Sequence, residues 1–238
     1  MYYTFSDVHG QLEAFEKAIT NWNREDILIF LGDAIDRGPK SMNVLQRLKE
    51  LHDAYPDKVI CLLGNHDKEF LNWLANPDLA VEHFWEYLAN TLHNVLDEHP
   101  DLEKSDLVEI NKFINKEYKD VIDFLKTWGY FYETPSLRFV HAGFNFNLID
   151  WKHTSKTDMI WDRTLIEAYK SNTTKSLIDK RTVVGHTPTS LIRTDKKNDV
   201  FISFDEKLIA IDGGCTFGGQ LNTLRFDEYG EILEIKAF

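Results

Sequence analysis

Short apolar runs alternate with amphipathic stretches through the first 67 residues, and this alternation constrains the fold more than any other feature. The runs are YYTF (2–5), DILIFLG (26–32) and KVICLLG (58–64), and they are followed by Ser6 and Asp7, by Asp33 and by Asn65, respectively. The stretches 11–22 and 41–55 between them carry apolar residues at the three- and four-residue spacing of a helix. The order strand, helix, strand, helix, strand predicts an α/β fold with a largely parallel sheet covered by helices.

Strand signals disappear between Lys68 and about Trp128, where the apolar residues keep helical spacing. We therefore expect a helical insertion over about 68–136, with its aromatic residues in the core, inside a single domain of residues 1–238. The apolar positions that carry this prediction are Phe70, Leu71, Trp73, Leu74, Phe84, Trp85, Leu88, Ile114, Tyr118, Val121, Leu125 and Trp128.

Short apolar runs return after Pro135. The last three, at 207–214, 221–227 and 231–238, are separated by turn-rich pieces and predict an antiparallel meander or hairpins. The stretch SNTTKSLIDKR (171–181) is interpreted as a helix, and RTDKKND (193–199) as a loop.

Polar residues collect where the predicted strands end. In open α/β sheets functional side chains gather at the carboxyl ends of strands. A lone Asp or His at such a place is usually structural, but turn chemistry selects Gly, Asn and Asp and has no need for four histidines. The residues at these ends are Asp7 and His9, then Asp33, Asp36 and Arg37, then Asn65 and His66, and later His141 and His186.

Two carboxylates, three imidazoles and one amide oxygen form a mixed nitrogen and oxygen donor set that suits Mn²⁺, Fe or Zn²⁺. If two divalent ions share Asp33, the charge of Asp7 and Asp33 leaves a surplus of about +2, which favours binding of a phosphate and a hydroxide. A neutral Asn65 completes the coordination without cancelling that charge. The set comprises Asp7, His9, Asp33, Asn65, His141 and His186.

His66 follows Asn65 directly and cannot easily reach the same metal. An imidazole that is not a ligand can protonate a departing alkoxide, because its ordinary pKa lies near 6.5. Asp36 is the expected partner that holds the His66 ring in the right tautomer.

Composition argues against several classes of protein. The formal net charge of −12 makes nucleic acid an unfavourable partner. Two cysteines, Cys61 and Cys215, form neither a disulfide framework nor a zinc-finger spacing. No apolar run approaches the ~20 residues of a membrane span, and the first residues lack a secretion signal, so we expect a cytoplasmic protein without a membrane partner.

Five ordered motifs resemble the calcineurin-like metallophosphoesterases, in particular the bacterial and phage branch of the serine/threonine phosphoprotein phosphatases. They are SDVHG, GDAIDRGP, GNHD, VHAG and VGHTP. The closing IDGGCTFGGQLNTLRF is similar to the tail of that branch. The resemblance implies a calcineurin-like metallophosphoesterase fold, with two mixed β-sheets sandwiched by helices.

The resemblance also implies roles for individual residues. Asp7 and His9 would bind one metal, Asn65, His141 and His186 the other, and Asp33 would bridge the two. His66 would be the general acid supported by Asp36. Arg37 and Arg163 would grip the phosphate. The cofactors would be two divalent metal ions, Mn²⁺ in the first place, with Fe or Zn²⁺ as alternatives.

The resulting hypothesis is a phosphatase that hydrolyses phosphomonoesters, such as phosphoserine or phosphothreonine in a protein, by direct attack of a metal-bound hydroxide. The acidic insertion offers no obvious cradle for a polyanion, which favours such a substrate. A dinucleoside tetraphosphate hydrolase, as for diadenosine tetraphosphate, is the alternative within the same family. A scaffold without turnover and a nuclease are less favoured, because no ligand is lost and the DRG arginine is present. The oligomeric state stays open.

Overall fold

The computed structural model describes residues 1–77, 88–171 and 176–238. The strands are β1 Tyr2–Phe5, β2 Ile27–Phe30, β3 Val59–Cys61, β4 Phe131–Glu133, β5 Leu137–Val140, β6 Arg181–Val184, β7 Phe201–Ile202, β8 Leu208–Ala210, β9 Asn222–Phe226 and β10 Ile232–Ala237. The α-helices are α1 Leu12–Asn21, α2 Ser41–Ala54, α3 Asn65–Ala75, α4 Ala89–Glu98, α5 Leu107–Glu117, α6 Lys119–Leu125, α7 Lys156–Trp161, α8 Thr164–Ser171 and α9 Thr189–Ile192.

The first sheet has the strand order β10-β9-β1-β2-β3. Strands β1, β2 and β3 are parallel, with Tyr2 opposite Ile27 and Leu28 opposite Val59. The β-α-β-α-β prediction for the first 67 residues is therefore confirmed. Strand β9 adds to β1 antiparallel, and β10 forms the predicted hairpin with β9.

The second sheet has the order β4-β5-β6-β8-β7 and is also mixed. Strand β8 runs parallel to β6, so the run 207–214 does not form a meander with 221–227. All three residues of β8 are buried, and a strand of this kind suits the interior of a sheet with both faces covered. The prediction of an α/β fold with two mixed sheets is confirmed, whereas the antiparallel placement of β8 beside β9 is wrong.

Alternate residues of β2 enter two different cores, because successive side chains of a strand point to opposite faces. Ile29 packs against Phe139 and Phe226 in the layer between the two sheets. Leu28 and Phe30 face the helices, where they join the largest cluster of buried apolar residues. The carboxyl ends of the parallel strands of both sheets therefore lie side by side, and helices pack on the face of the first sheet that points away from the second.

The predicted helical segment 68–136 differs from the structure at both ends. Helix α3 already begins at Asn65, and β4 lies within the last residues of the range. Phe70, Trp73 and Trp128 are buried in the helix-side core, as expected for its aromatics. The predicted positions Phe84 and Trp85 lie outside the described residues.

Among the described residues of the stretch 171–181, Ser171 ends α8 and 176–181 contain no helix, so the predicted helix is not found over 176–181; residues 172–175 lie outside the described part. Residues 193–199 form a loop, as predicted. In the described ranges, no helix combines the length and the apolar character needed to cross a bilayer.

Candidate metal centre

Strained backbone marks the place where the strand ends meet. Six residues of the predicted site have φ between 44° and 67°, a region that costs roughly 1–2 kcal/mol for a residue with a side chain. Such strain clusters at functional sites. These residues are Asp7, His9, Asp33, Asp36, Arg37 and His186.

Asp33 lies at the middle of the cluster. Its Oδ2 is 3.5 Å from His9 Nε2 and 3.4 Å from His141 Nε2. Two groups with metal-ligand spacing share it, one with His9 and His66 and the other with His141 and His186. Burial raises the pKa of Asp33, but His141 and His66 outweigh this and hold the pKa well below its ordinary value. A carboxylate shared by two such groups is suited to bridge two cations.

Backbone carbonyls fix the orientation of two imidazoles. His9 Nδ1 lies 2.7 Å from the Ile35 oxygen, and His141 Nδ1 lies 2.8 Å from the Leu31 oxygen. Since a carbonyl can only accept, each Nδ1 carries a proton, which leaves Nε2 as the nitrogen that could bind a metal. Burial lowers the pKa of His9 to about 3, so this ring is neutral.

His186 provides a test of whether metals fit. Its Nε2 is buried, and no hydrogen bond to it is found among the described residues. Burial lowers the pKa of His186 to about 2, so the ring is neutral rather than cationic. A buried lone pair beside carboxylates fits a divalent cation, and the donor set is the one expected for Mn²⁺, Fe or Zn²⁺.

The pKa of His141 is raised, whereas the pKa values of His9 and His186 are lowered. Burial lowers its pKa, but Asp33 and Asp7 outweigh burial and raise the pKa to about 9. Its Nε2 is also 3.3 Å from Asn65 Oδ1. A metal ion between these atoms would have to displace the proton of His141, so binding would release a proton in neutral solution.

Two glycines allow the close approach of the carboxylates. A Cβ on Gly64 would lie 2.0 Å from Asp33 Oδ1, and a Cβ on Gly185 would lie 2.3 Å from Asp7 Oδ2. Asp7 Oδ2 accepts a hydrogen bond of 2.9 Å from the backbone nitrogen of His186, and this bond connects the end of β1 to the end of β6. The two sheets are therefore joined at the predicted ligands.

Asp67, which follows His66, organises the loop that carries Asp33. Its carboxylate accepts hydrogen bonds from the backbone nitrogens of Asp33, Ala34 and Gly64 at 2.7 to 3.0 Å. Burial and then the charge of Asp33 raise the pKa of Asp67 to about 7. This carboxylate therefore supports the backbone around the predicted ligand Asp33.

His66 and Asp36 form a buried pair. Nδ1 of His66 donates to Asp36 Oδ2 at 2.9 Å, and the two side chains are 0% and 1% exposed. Burial lowers the pKa of His66, but Asp33 and Asp36 outweigh it and raise the pKa overall. Two cations beside Asp33 would oppose that rise. The pair has the geometry expected of a general acid and the carboxylate that orients it.

Helix α4 holds Asp36 in place, which the sequence did not reveal. Thr91 Oγ1 donates to Asp36 Oδ1 at 2.5 Å and accepts from the Asp36 nitrogen at 3.1 Å. Asn94 Oδ1 accepts from the Ser41 nitrogen, and Asn90 donates to the Arg37 oxygen. Three polar side chains of one helix therefore secure the turn that carries Asp36 and Arg37.

Replacing Thr91 with valine should lower kcat roughly 10- to 150-fold with little change in KM, because a hydrogen bond to a charged group contributes about 1.5–3 kcal/mol. Thr91→Ser should restore most of the activity. Thr20→Val, which removes another helical hydroxyl, one that donates to the Glu16 oxygen, is the matched control. An unchanged pH profile in Thr91→Val, together with equal losses of thermal stability in Thr91→Val and Thr20→Val, would show that Thr91 contributes to packing and not to the orientation of Asp36.

The two predicted phosphate-binding arginines are exposed at the edge of the centre. Arg37 Nη1 lies 2.8 Å from His9 Nε2. Arg163 lies between α7 and α8, and its charge helps to lower the pKa of His186, after burial and His141. Both guanidinium groups are thus close to predicted ligands.

Asp212 is a further buried carboxylate that the sequence interpretation missed. Burial and then the charge of Asp7 raise its pKa well above the ordinary value, and Oδ1 accepts from the Gly214 nitrogen at 2.8 Å. The run LIAIDGG ends in Asp and Gly as the other site strands do. The sequence therefore carries the same local signal for Asp212 as for the other site residues, although the run also fits the strand of a hairpin.

The chain was compared with known proteins. A family model described as calcineurin-like phosphoesterase matches residues 3–227. A Caenorhabditis elegans relative named as a serine/threonine-protein phosphatase is 37% identical over 68 residues, which are 28% of this chain and 19% of the relative. The match thus spans about a fifth of that relative's length.

Two matches extend over nearly the whole chain. The bis(5′-nucleosyl)-tetraphosphatase PrpE (asymmetrical) of Bacillus velezensis is 26% identical over 97% of this chain and 91% of its own length. A crystal structure described as a diadenosine tetraphosphatase superposes with a TM-score of 0.64, covering 99% of this chain and 92% of that one. Its sequence is 17% identical, so it shows a common fold alone.

Proposed function

The chain belongs to the calcineurin-like phosphoesterases, as its motifs predicted, and on that premise we propose a phosphoester hydrolase with a dinuclear metal centre. Asp7 and His9 would hold one ion, and Asn65, His141 and His186 the other. Asp33 would bridge them. The observation that carries this proposal is the position of Asp33 Oδ2, 3.5 Å from His9 Nε2 and 3.4 Å from His141 Nε2, within both groups of side chains that could hold a metal ion.

Two divalent cations would supply positive charge for a phosphate and activate a water molecule in neutral solution. The surplus charge follows from the donors, since only Asp7 and Asp33 among the six proposed ligands are anionic. Arg37 and Arg163 would add two donors for the phosphoryl oxygens, whose charge grows in the transition state. With both ions bound, the centre would attract an anion within a protein whose net charge is −12.

His66 would protonate the leaving oxygen from Nε2, while Asp36 keeps the proton of Nδ1 engaged. Thr91 fixes Asp36, and the backbone nitrogen of His66 donates to Asp33 Oδ1 at 3.0 Å. The acid and the bridging carboxylate are thus parts of one rigid unit. No side chain has to act as the nucleophile in this arrangement.

For the substrate we place a dinucleoside tetraphosphate first and a phosphomonoester, such as phosphoserine or phosphothreonine in a protein, second. The support for this order is the Bacillus velezensis relative, which matches over 91% of its length and is named for dinucleoside tetraphosphates. The short match to the serine/threonine phosphatase relative supports the second candidate.

The experiment is an assay of the purified protein with Mn²⁺ on diadenosine tetraphosphate, a phosphoserine peptide, p-nitrophenyl phosphate and its bis-ester. We expect metal-dependent hydrolysis of the tetraphosphate with the highest kcat/KM, and weaker hydrolysis of the monoesters. The same assay after chelation should show no turnover. Cleavage of the bis-ester alone would contradict both proposed substrates, and turnover that persists after chelation would overturn the metal-dependent hydrolase.

A further inference from the structure

Phe217 is an exposed aromatic residue beside the metal centre. Its side chain is 65% exposed, although most aromatic side chains of the protein are at least partly buried. It lies in the short 3₁₀ turn Cys215–Phe217, which follows the end of the second sheet. Neither the metal ligands nor the acid pair explains an apolar ring in solvent at this place.

Hydrogen bonds and close packing fix the backbone of the turn that carries the ring. Gly214 and Gly218 flank it with φ of 65° and 78°, values that a residue with a side chain rarely adopts. The Phe217 and Gly219 nitrogens both donate to the Gly214 oxygen, at 2.8 and 3.0 Å. A Cβ on Gly219 would lie 2.0 Å from the Gly213 oxygen, so the loop is closely packed against itself. The ring is presented by a rigid support rather than by a long flexible loop.

Arg37 connects the ring to the metal centre. Its guanidinium carbon lies over the ring, 5.1 Å from the centroid, and its Nη1 reaches His9 Nε2. No ion pair of Arg37 with a carboxylate occurs within the part of the chain that the structure describes, so its charge is available to a phosphate. One cation therefore lies between an apolar platform and the centre that would receive a phosphoryl group.

We propose that Phe217 is the stacking platform for a nucleobase of the substrate, with Arg37 contacting the phosphate chain of the same nucleotide. This inference rests on the proposed function and makes it more specific, since it selects a nucleoside polyphosphate over a phosphopeptide. Because Arg37 lies over one face of the ring, the opposite face is the one left for a base. A phenyl ring without polar atoms would hold any base, so recognition should be tolerant of base identity.

The first test measures binding rather than turnover. In a His66→Asn background loaded with Mn²⁺, calorimetric titration with adenosine 5′-monophosphate and with ribose 5-phosphate compares two ligands that differ only in the base. We expect the nucleotide to bind roughly 5- to 150-fold more tightly, the range that stacking on an aromatic side chain provides. Phe217→Ala should remove this advantage, and Phe217→Trp should retain it.

The control is Phe204→Ala, which removes another exposed phenylalanine, 84% exposed and outside the centre, and should preserve the advantage. Equal affinities for the two ligands, absence of binding by the nucleotide, or an advantage that survives Phe217→Ala would overturn the proposal. The proposal would also be overturned if Phe217→Ala weakened the binding of a phosphoserine peptide and left the binding of the nucleotide unchanged. If the wild-type protein hydrolyses no phosphoester yet binds the nucleotide with the Phe217-dependent advantage, the proposed function is wrong and the stacking of a nucleobase on Phe217 is still supported.

Discussion

The His66→Asn variant should lose roughly 10²- to 10⁴-fold in kcat, the usual contribution of a general acid, while keeping its metal ions. Asparagine can still donate a hydrogen bond toward Asp36, so the 2.9 Å contact between the two side chains has a replacement. What it cannot do is transfer a proton to the leaving oxygen. Steady-state kinetics on a phosphoserine peptide, whose alkoxide leaving group needs a proton, and metal content by mass spectrometry measure both effects.

A second property distinguishes an acid from a residue that merely supports the fold. The loss should shrink for p-nitrophenyl phosphate, because a stable leaving group needs little protonation, and should be largest for an alkyl leaving group. His153→Asn is the control, since that histidine is 80% exposed and belongs to neither ligand group. Loss of one metal equivalent in His66→Asn would instead make His66 a ligand together with His9 and Asp33, a group whose spacing also permits this role.

The strand ends of the site could be predicted because each follows a local signal. An apolar run that stops at Asp, His or Asn beside Gly places its polar residue at the carboxyl edge of the sheet, and parallel strands bring such edges together. Asp7, Asp33 and Asn65 follow the first three strands in this way, and His141 and His186 follow β5 and β6. The structure brings these predicted residues into one cluster, although their ligand roles stay predictions.

Residues that act through contacts distant in sequence could not be predicted in the same way. Thr91 contacts Asp36 across 55 positions, and a threonine on a helix has no local feature that separates it from a surface residue. The partner of β8 was also ambiguous, because a three-residue apolar run fits either sheet. Its pairing with β6 is decided by burial on both faces, which is a property of the assembled layers.

Replacing Asp33 with asparagine should have the largest effect of any single change, with a loss of at least one metal equivalent and roughly 10³-fold or more in kcat/KM. The amide has nearly the shape of the carboxylate and can still accept the hydrogen bond from the His66 nitrogen through its oxygen. It carries no charge, however, and only one acceptor atom, so it cannot bridge two cations. Several kcal/mol of transition-state stabilisation depend on the metals, and each 1.4 kcal/mol is tenfold in rate.

The metal-free protein provides an independent readout of the same substitution. Asp33 is the main group that raises the pKa of His141 to about 9, so removing its charge should lower that pKa, which NMR titration of the imidazole measures. Asp26→Asn is a demanding control, because Asp26 is equally buried but pairs with Arg225 outside the centre. That variant should lose stability and keep two metal equivalents. Two bound metals and full activity in Asp33→Asn would show that Asp33 does not bridge, and the bridging role proposed for it would be wrong.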